Sequence, residues 1–252
     1  MLTNTLFSIM EQQQSLTLDV VMQRVLNDAR MAQKQCNLLD NDEEFNKHSR
    51  LVVTIANKLL LPQRRQFVID EHNKQVLRFL LYYFNGSQLA EQVFPNAKYK
   101  LHKNLLIMGG VGTGKTLLMQ IFSEYLRYTN NPRFFHCMSV TQMVNYYTIH
   151  NNLDLYTYNE ENSTGFKPQP FNICLNDIGV QSKTYFGMDT QLLTNEFLHA
   201  RNEIWTQMGN TAHLTTNLTI KQLEEKFADG FGRLIDRFKT YNVIKLTGVS
   251  RR

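Results

Sequence analysis

The chain has 252 residues, 42% of them hydrophobic, enough to bury a core without staples in one large domain or two modest ones. Its three cysteines, Cys36, Cys137 and Cys174, form no Cys-x-x-Cys pair, which argues against a secreted disulfide framework and a cysteine zinc site. Lys and Arg exceed Asp and Glu by 27 to 22, a net +5 that permits nucleic-acid contact without demanding it.

No apolar run reaches membrane-spanning length, and residues 11–14 are polar where a secretory leader would be apolar. The expectation is a soluble, cytoplasmic protein with no membrane partner. Residues 1–60 read as helical: Leu16, Val20, Val21 and Leu26, then Leu51, Val52, Ile55 and Leu59, recur at helical spacing, and neither Gly nor Pro precedes Pro62. The acidic residues 40–44 divide two such helices. An apolar stripe on a short unit needs a cover, so residues 1–66 are expected to be a helical partner-binding segment, or an arm packed on the core, ahead of a main domain at 67–252.

After a basic link at 62–66, a helix is predicted over 70–84, ended by Asn85-Gly86, and an irregular lysine-bearing connection follows. Residues 104–108 read as a strand and 115–128 as a helix stopped at Asn130-Asn131-Pro132. A second strand is predicted over 133–137, with Ser139 or Thr141 capping the next helix. Polar, aromatic residues 151–170 read as a loop or short insertion. Then come a strand over 171–175, a helix over 191–207, a strand over 211–217, a helix over 220–227 and a strand over 241–246. This alternation is that of a parallel α/β sheet.

Between the first strand and its helix stands Gly109-Gly110-Val111-Gly112-Thr113-Gly114-Lys115-Thr116. Two glycines with four residues between them, followed by Lys and Thr, form a phosphate-binding loop. The glycines let backbone N–H groups converge on phosphate oxygens, and Lys115 neutralises the outer phosphates. Thr116 offers a hydroxyl to Mg²⁺ while the helix it opens turns its positive end to the anion. Asn176-Asp177, beyond the third strand, would lie on the ligand side of such a sheet, where a carboxylate holds Mg²⁺ or polarises the attacking water. Asn217, after the fourth strand, either orients a water and touches the outermost phosphoryl group or caps the following helix. For DNA, Lys183, Tyr185 and the insertion near Tyr156 combine charge with stacking faces, and the same tyrosines equally suit packing of a loop on the core.

With its elements in this order the chain resembles the AAA+ ATPases of the DnaC-type helicase-loader and IstB-type transposition-helper group. The resemblance rests on 109–116, on Leu175-Asn176-Asp177-Ile178-Gly179-Val180, on Leu214-Thr215-Thr216-Asn217-Leu218-Thr219, on 233–238 and on the ending Gly248-Val249-Ser250-Arg251-Arg252. It implies an α/β P-loop NTPase of AAA+ type: a five-stranded parallel sheet flanked by helices, behind a helical N-terminal segment and without a C-terminal lid. By the same resemblance ATP lies on Gly109 through Thr116, with Leu117 and the sensor arginine Arg252, and Mg²⁺ on Thr116, Asp177 and Asn176. Asn217 is then the γ-phosphate sensor, and Arg237, or Arg233 one turn away, the arginine finger reaching a neighbouring subunit. Members usually carry two adjacent carboxylates where this chain has Asn176 and Asp177, so slow intrinsic turnover is expected. The implied function is to load a hexameric replicative helicase onto single-stranded DNA through ATP-dependent assembly into a ring or spiral. The alternatives are an IstB-like transposition ATPase acting on duplex DNA, and a nucleotide-dependent interaction protein without DNA contact.

Overall fold

The computed structural model describes residues 18–34, 39–163, 167–179, 184–185, 188–228 and 233–251. By its internal contacts the chain divides into two units, residues 1–37 and 38–252. The described part of the first is helix α1, Leu18–Lys34, in which Leu18, Val21, Met22 and Val25 fall on one face and are all exposed.

The second unit opens with α2, Asp42–Leu60. The Asn41 side chain accepts the Glu44 N–H at 2.8 Å, and Asp42, Glu43 and Glu44 oppose the positive end of the helix dipole. The acidic stretch is thus a helix start as well as a break. Helices α3, Lys74–Phe84, and the short α4, Ala90–Val93, follow. Residues 70–73, predicted helical, form a turn instead, because the Asp70 carboxylate takes the N–H groups of His72 and Asn73.

The alternating part comprises β1 (Asn104–Met108), α5 (Lys115–Tyr128), β2 (His136–Ser139), α6 (Val140–His150) and β3 (Ile173–Ile178). A two-stranded hairpin of β4 (Thr184–Tyr185) and β5 (Met188–Asp189) leads into α7 (Thr190–Met208), β6 (Ala212–Thr216), α8 (Ile220–Lys226), α9 (Arg233–Phe238) and β7 (Tyr241–Lys245). The five long strands form one sheet in the order β2-β3-β6-β1-β7, and every pairing is parallel. Two strands differ from their predicted spans. Ladder pairing on β2 starts only at His136, after the turn in which Phe134 N–H returns to Asn131, and β3 runs on to Ile178, so Asn176 and Asp177 lie within it.

Side chains of β1 alternate between two cores, as the pleat requires. Leu105 and Ile107 face the layer of α2, α3 and α5; Leu106 and Met108 face that of α6, α7 and α8. Helix α2, read from sequence within the N-terminal segment, buries Val52, Ile55 and Ala56 in the same cluster as α5, and His48 Nδ1 meets the Tyr125 hydroxyl at 2.5 Å. Beneath the centre of the sheet His213 accepts the Leu105 N–H at 3.1 Å, amid Tyr83, Phe84 and Phe135. Burial, with Arg133 and Arg201 nearby, drives its pKa down to about 3 and keeps the ring neutral.

Candidate nucleotide-binding site

A cavity of about 820 Å³ opens beside the loop between β1 and α5. Val111 to Leu118 line it, with Asp177 near the end of β3, Asn217 just past β6, Ser139 to Thr141 with Val144 and Asn145 at the start of α6, and Leu60, Phe67, Val68, Asn73, Leu246 and Arg251. The loop is fixed by contacts distant in sequence. Gly112 has φ +80°, and a Cβ there would strike the Ser250 side chain; a Cβ on Gly109 would strike the Leu246 carbonyl. Glycine is needed at Gly112 both for its conformation and for the close approach of the C-terminal tail.

Lys115, only 4% exposed, donates to the carbonyls of Gly109 and Gly110 at 2.8 Å and to Asn217 Oδ1 at 2.5 Å. The ammonium and Asn217 therefore share one point at the head of the loop. Asn217 does not cap the following helix: Thr219 does, in a capping box with Gln222. The hydroxyl-bearing Thr116 and the aliphatic Leu117 line the same cavity, and Gly114, at φ +96°, precedes the helix whose N-terminal end faces it.

Asp177 lines the cavity from a break in strand pairing. Leu175 pairs with Leu214 and Ile178 with Thr216, so two residues of β3 stand opposite one of β6. Such a bulge re-aims a side chain. Asp177 has φ +63°, a left-handed conformation that costs a non-glycine residue roughly 1 kcal/mol. Asn176 takes no part in the cavity wall. It is 3% exposed, its amide donates to the Met138 carbonyl at 3.2 Å, and its oxygen accepts from the Thr215 hydroxyl at 3.1 Å.

Arg237 lies on α9, outside this cavity, where its guanidinium meets His199 Nδ1 beside a shallower cavity of about 620 Å³ with Glu196, Glu203 and Tyr158. Tyr156 is buried among the side chains that pack on the α6 and α7 core. The side chains of Arg233 and Tyr185, and all of Arg252 and Lys183, lie outside the described residues.

Sequence reasoning missed Arg251, the neighbour of the arginine it chose. Its N–H donates to the Gly112 carbonyl at 2.9 Å, and its guanidinium reaches both Asp70 oxygens, at 2.7 and 2.8 Å. That bond holds the Asp70 carboxyl below the usual carboxylate range. Arg251 thus ties the tail to the loop and, through Asp70, to the segment 67–73.

A parallel sheet in the order β2-β3-β6-β1-β7, with Gly-x-x-x-x-Gly-Lys-Thr between β1 and its helix, defines a P-loop NTPase fold of the AAA+ type. No protein-family model and no curated protein sequence matches the chain. Among solved structures it is similar to the DnaC helicase loader, at 11% identity and a TM-score of 0.47, over 71% of this chain and 93% of that one. A primosome component from Streptococcus pyogenes gives 17% identity and a TM-score of 0.49, over 74% of this chain and 85% of that one. AMPPCP-bound DnaA from Aquifex aeolicus gives 16% and 0.45 over 71% of this chain, which spans about half, 48%, of that chain. At these scores the fold assignment rests on strand order and loop, not on the likenesses. No helix among the described residues is long and apolar enough to cross a membrane.

Proposed function

We propose that the chain is an ATP-driven assembly factor of DNA replication, which binds Mg·ATP in the 820 Å³ cavity and helps place a hexameric replicative helicase on single-stranded DNA. The observation that carries the nucleotide part is the convergence of Lys115, Thr116, Asp177 and Asn217 on one cavity. Leu60, Phe67, Val68 and Leu246 offer the base an apolar wall, and the loop N–H groups with Lys115 take the phosphates. Mg²⁺ characteristically takes one or two protein ligands beside the nucleotide's own oxygens, and Thr116 and Asp177 fit that demand. When bound, it would neutralise charge on the phosphates. Asn217 and Lys115, already bonded to each other, would both meet the terminal phosphoryl group, and Asp177 would orient the water that attacks it, releasing ADP and phosphate. One carboxylate does this work because Asn176 is committed to Met138 and Thr215, so turnover is expected to be slow.

Partner attachment is proposed for the N-terminal segment, 1–66, and ATP binding for the domain 67–252, with Leu60, Gln63, Arg65 and Gln66 adding to the cavity wall. Since α2 belongs to the core beside the loop helix, the attachment surface narrows to the exposed apolar face of α1. Arg237, outside its own cavity, would serve the ATP of a neighbouring subunit in a ring or spiral. Sizing of the purified protein with and without Mg·ATP, with single-stranded and duplex DNA, in wild type and Arg237→Ala, tests the proposal. The expected result is ATP-dependent assembly that needs Arg237 and prefers single strands. Preference for duplex DNA would favour the transposition helper instead, and a monomer under all conditions would end the ring mechanism.

A further inference from the structure

We propose that Thr215 is the positioning residue for Asp177, a role that rests on the reading of Asp177 given above. Thr215 is the single residue of β6 opposite the two-residue bulge of β3. A bulged residue leaves the regular ladder, so its N–H needs another acceptor. The Thr215 hydroxyl supplies it, accepting the Asp177 N–H at 3.0 Å, and gives its own proton to Asn176 Oδ1 at 3.1 Å. One hydroxyl thereby binds both bulge residues, as acceptor for one and donor to the other.

Neighbouring bonds close the frame. Asn176 is anchored on its other side to the Met138 carbonyl of β2, and the Thr216 hydroxyl donates to the Ile178 carbonyl at 2.8 Å while accepting the Leu218 N–H. Left-handed Asp177 is thus gripped before and after its own position. Thr215 is fully buried and absent from the cavity wall, so it acts on a bound nucleotide only through Asp177. Two residues further on, Asn217 holds Lys115. The segment 215–217 therefore sets both the carboxylate and the ammonium of the site, which links Thr-Thr-Asn to β3 as well as to the phosphate loop.

The test measures ATP turnover by phosphate release, mant-ATP affinity with and without Mg²⁺, and melting temperature, in the full chain. Thr215→Val keeps the shape and removes both hydrogen bonds. It is expected to lower kcat roughly 10- to 100-fold, as a misplaced catalytic group does, with KM and Mg²⁺-free mant-ATP affinity within about threefold of wild type. Thr215→Ser, which restores the hydroxyl, is expected to recover most of the loss. In an Asp177→Asn background the valine should cost nothing further, because the group it positions is already gone. A kcat for Thr215→Val within twofold of wild type, or an additive loss in that background, overturns the proposal while leaving Asp177 its role. If Asp177→Asn itself turns over normally, or wild type does not hydrolyse ATP, the reading of Asp177 fails and Thr215 falls with it. Should Thr215→Val fail to fold, Thr215→Cys, with a weaker donor and longer bond, is read on the same axes, and wild-type kcat there overturns the proposal equally.

Discussion

The two ends of the cavity are built in opposite ways. At the phosphate end the groups come from consecutive loop residues, 111–116, joined by Asn217; at the other end the wall is assembled from Leu60, Phe67, Val68, Asn73, Leu246 and Arg251, and Arg251 is held by Asp70, 181 positions away. A phosphate imposes one geometry, converging N–H groups and a cation, which a short glycine-rich loop can encode locally. An apolar wall for a base has many solutions, and packing of distant segments supplies this one. The phosphate end should therefore be intolerant of single changes, and the far end should yield gradually.

The severest trial of that contrast is Lys115→Ala. It removes the buried cation and takes a donor from the Gly109 carbonyl and from Asn217 Oδ1, while the Gly110 carbonyl keeps the Thr113 hydroxyl at 3.0 Å. Mant-ATP titration should show affinity reduced about 100-fold, near 2.7 kcal/mol, and a loss below tenfold would break the comparison.

Next in size is an effect on the core beneath the sheet, away from both ends of the cavity. His213 titrates near 3 in the folded chain and near its ordinary 6.5 when unfolded, so below 6.5 the unfolded chain binds a proton that the folded chain refuses. Its contribution is whole above pH 6.5 and is lost as pH falls toward 3, by up to about 1.4 kcal/mol per pH unit. Denaturant melts at pH 7, 6 and 5 should show His213→Leu with a shallower acid limb than wild type, despite lower stability at pH 7 from the unpaired Leu105 N–H. Parallel limbs would remove the histidine from the account.

The smallest effect sharpens the contrast at its gradual end. Arg251→Ala and Asp70→Asn each break the partly exposed pair that ties the tail to the wall, and each should weaken mant-ATP binding by only about threefold, with the double variant no worse than either single. A loss as large as that of Lys115→Ala would make the tail part of the phosphate site.

Legibility followed the same division. The loop, the alternation of strands and helices and the cap at Ser139, offered beside Thr141, were readable because each depends on neighbours within a few positions, whereas the helix after β6 is capped by Thr219 and not by the Asn217 that the sequence offered. Asn176 was given to the metal by the family resemblance, beside Asp177. The bulge separates them, sending one side chain to Met138 and Thr215 and the other into the cavity. The spacing of residues cannot announce a bulge, since it arises from the register of β3 against β6, strands some 40 residues apart.

By itself the sequence determined the phosphate loop, the α/β alternation and the residue types offered to a nucleotide, because backbone conformation and periodicity are local properties. Only the tertiary structure decided the strand order, the placing of α2 in the core beside α5, the pairing of Arg251 with Asp70 and the parting of Asn176 from Asp177. Those outcomes depend on which distant backbone groups find hydrogen-bond partners and which apolar faces find cover, and packing settles both at once.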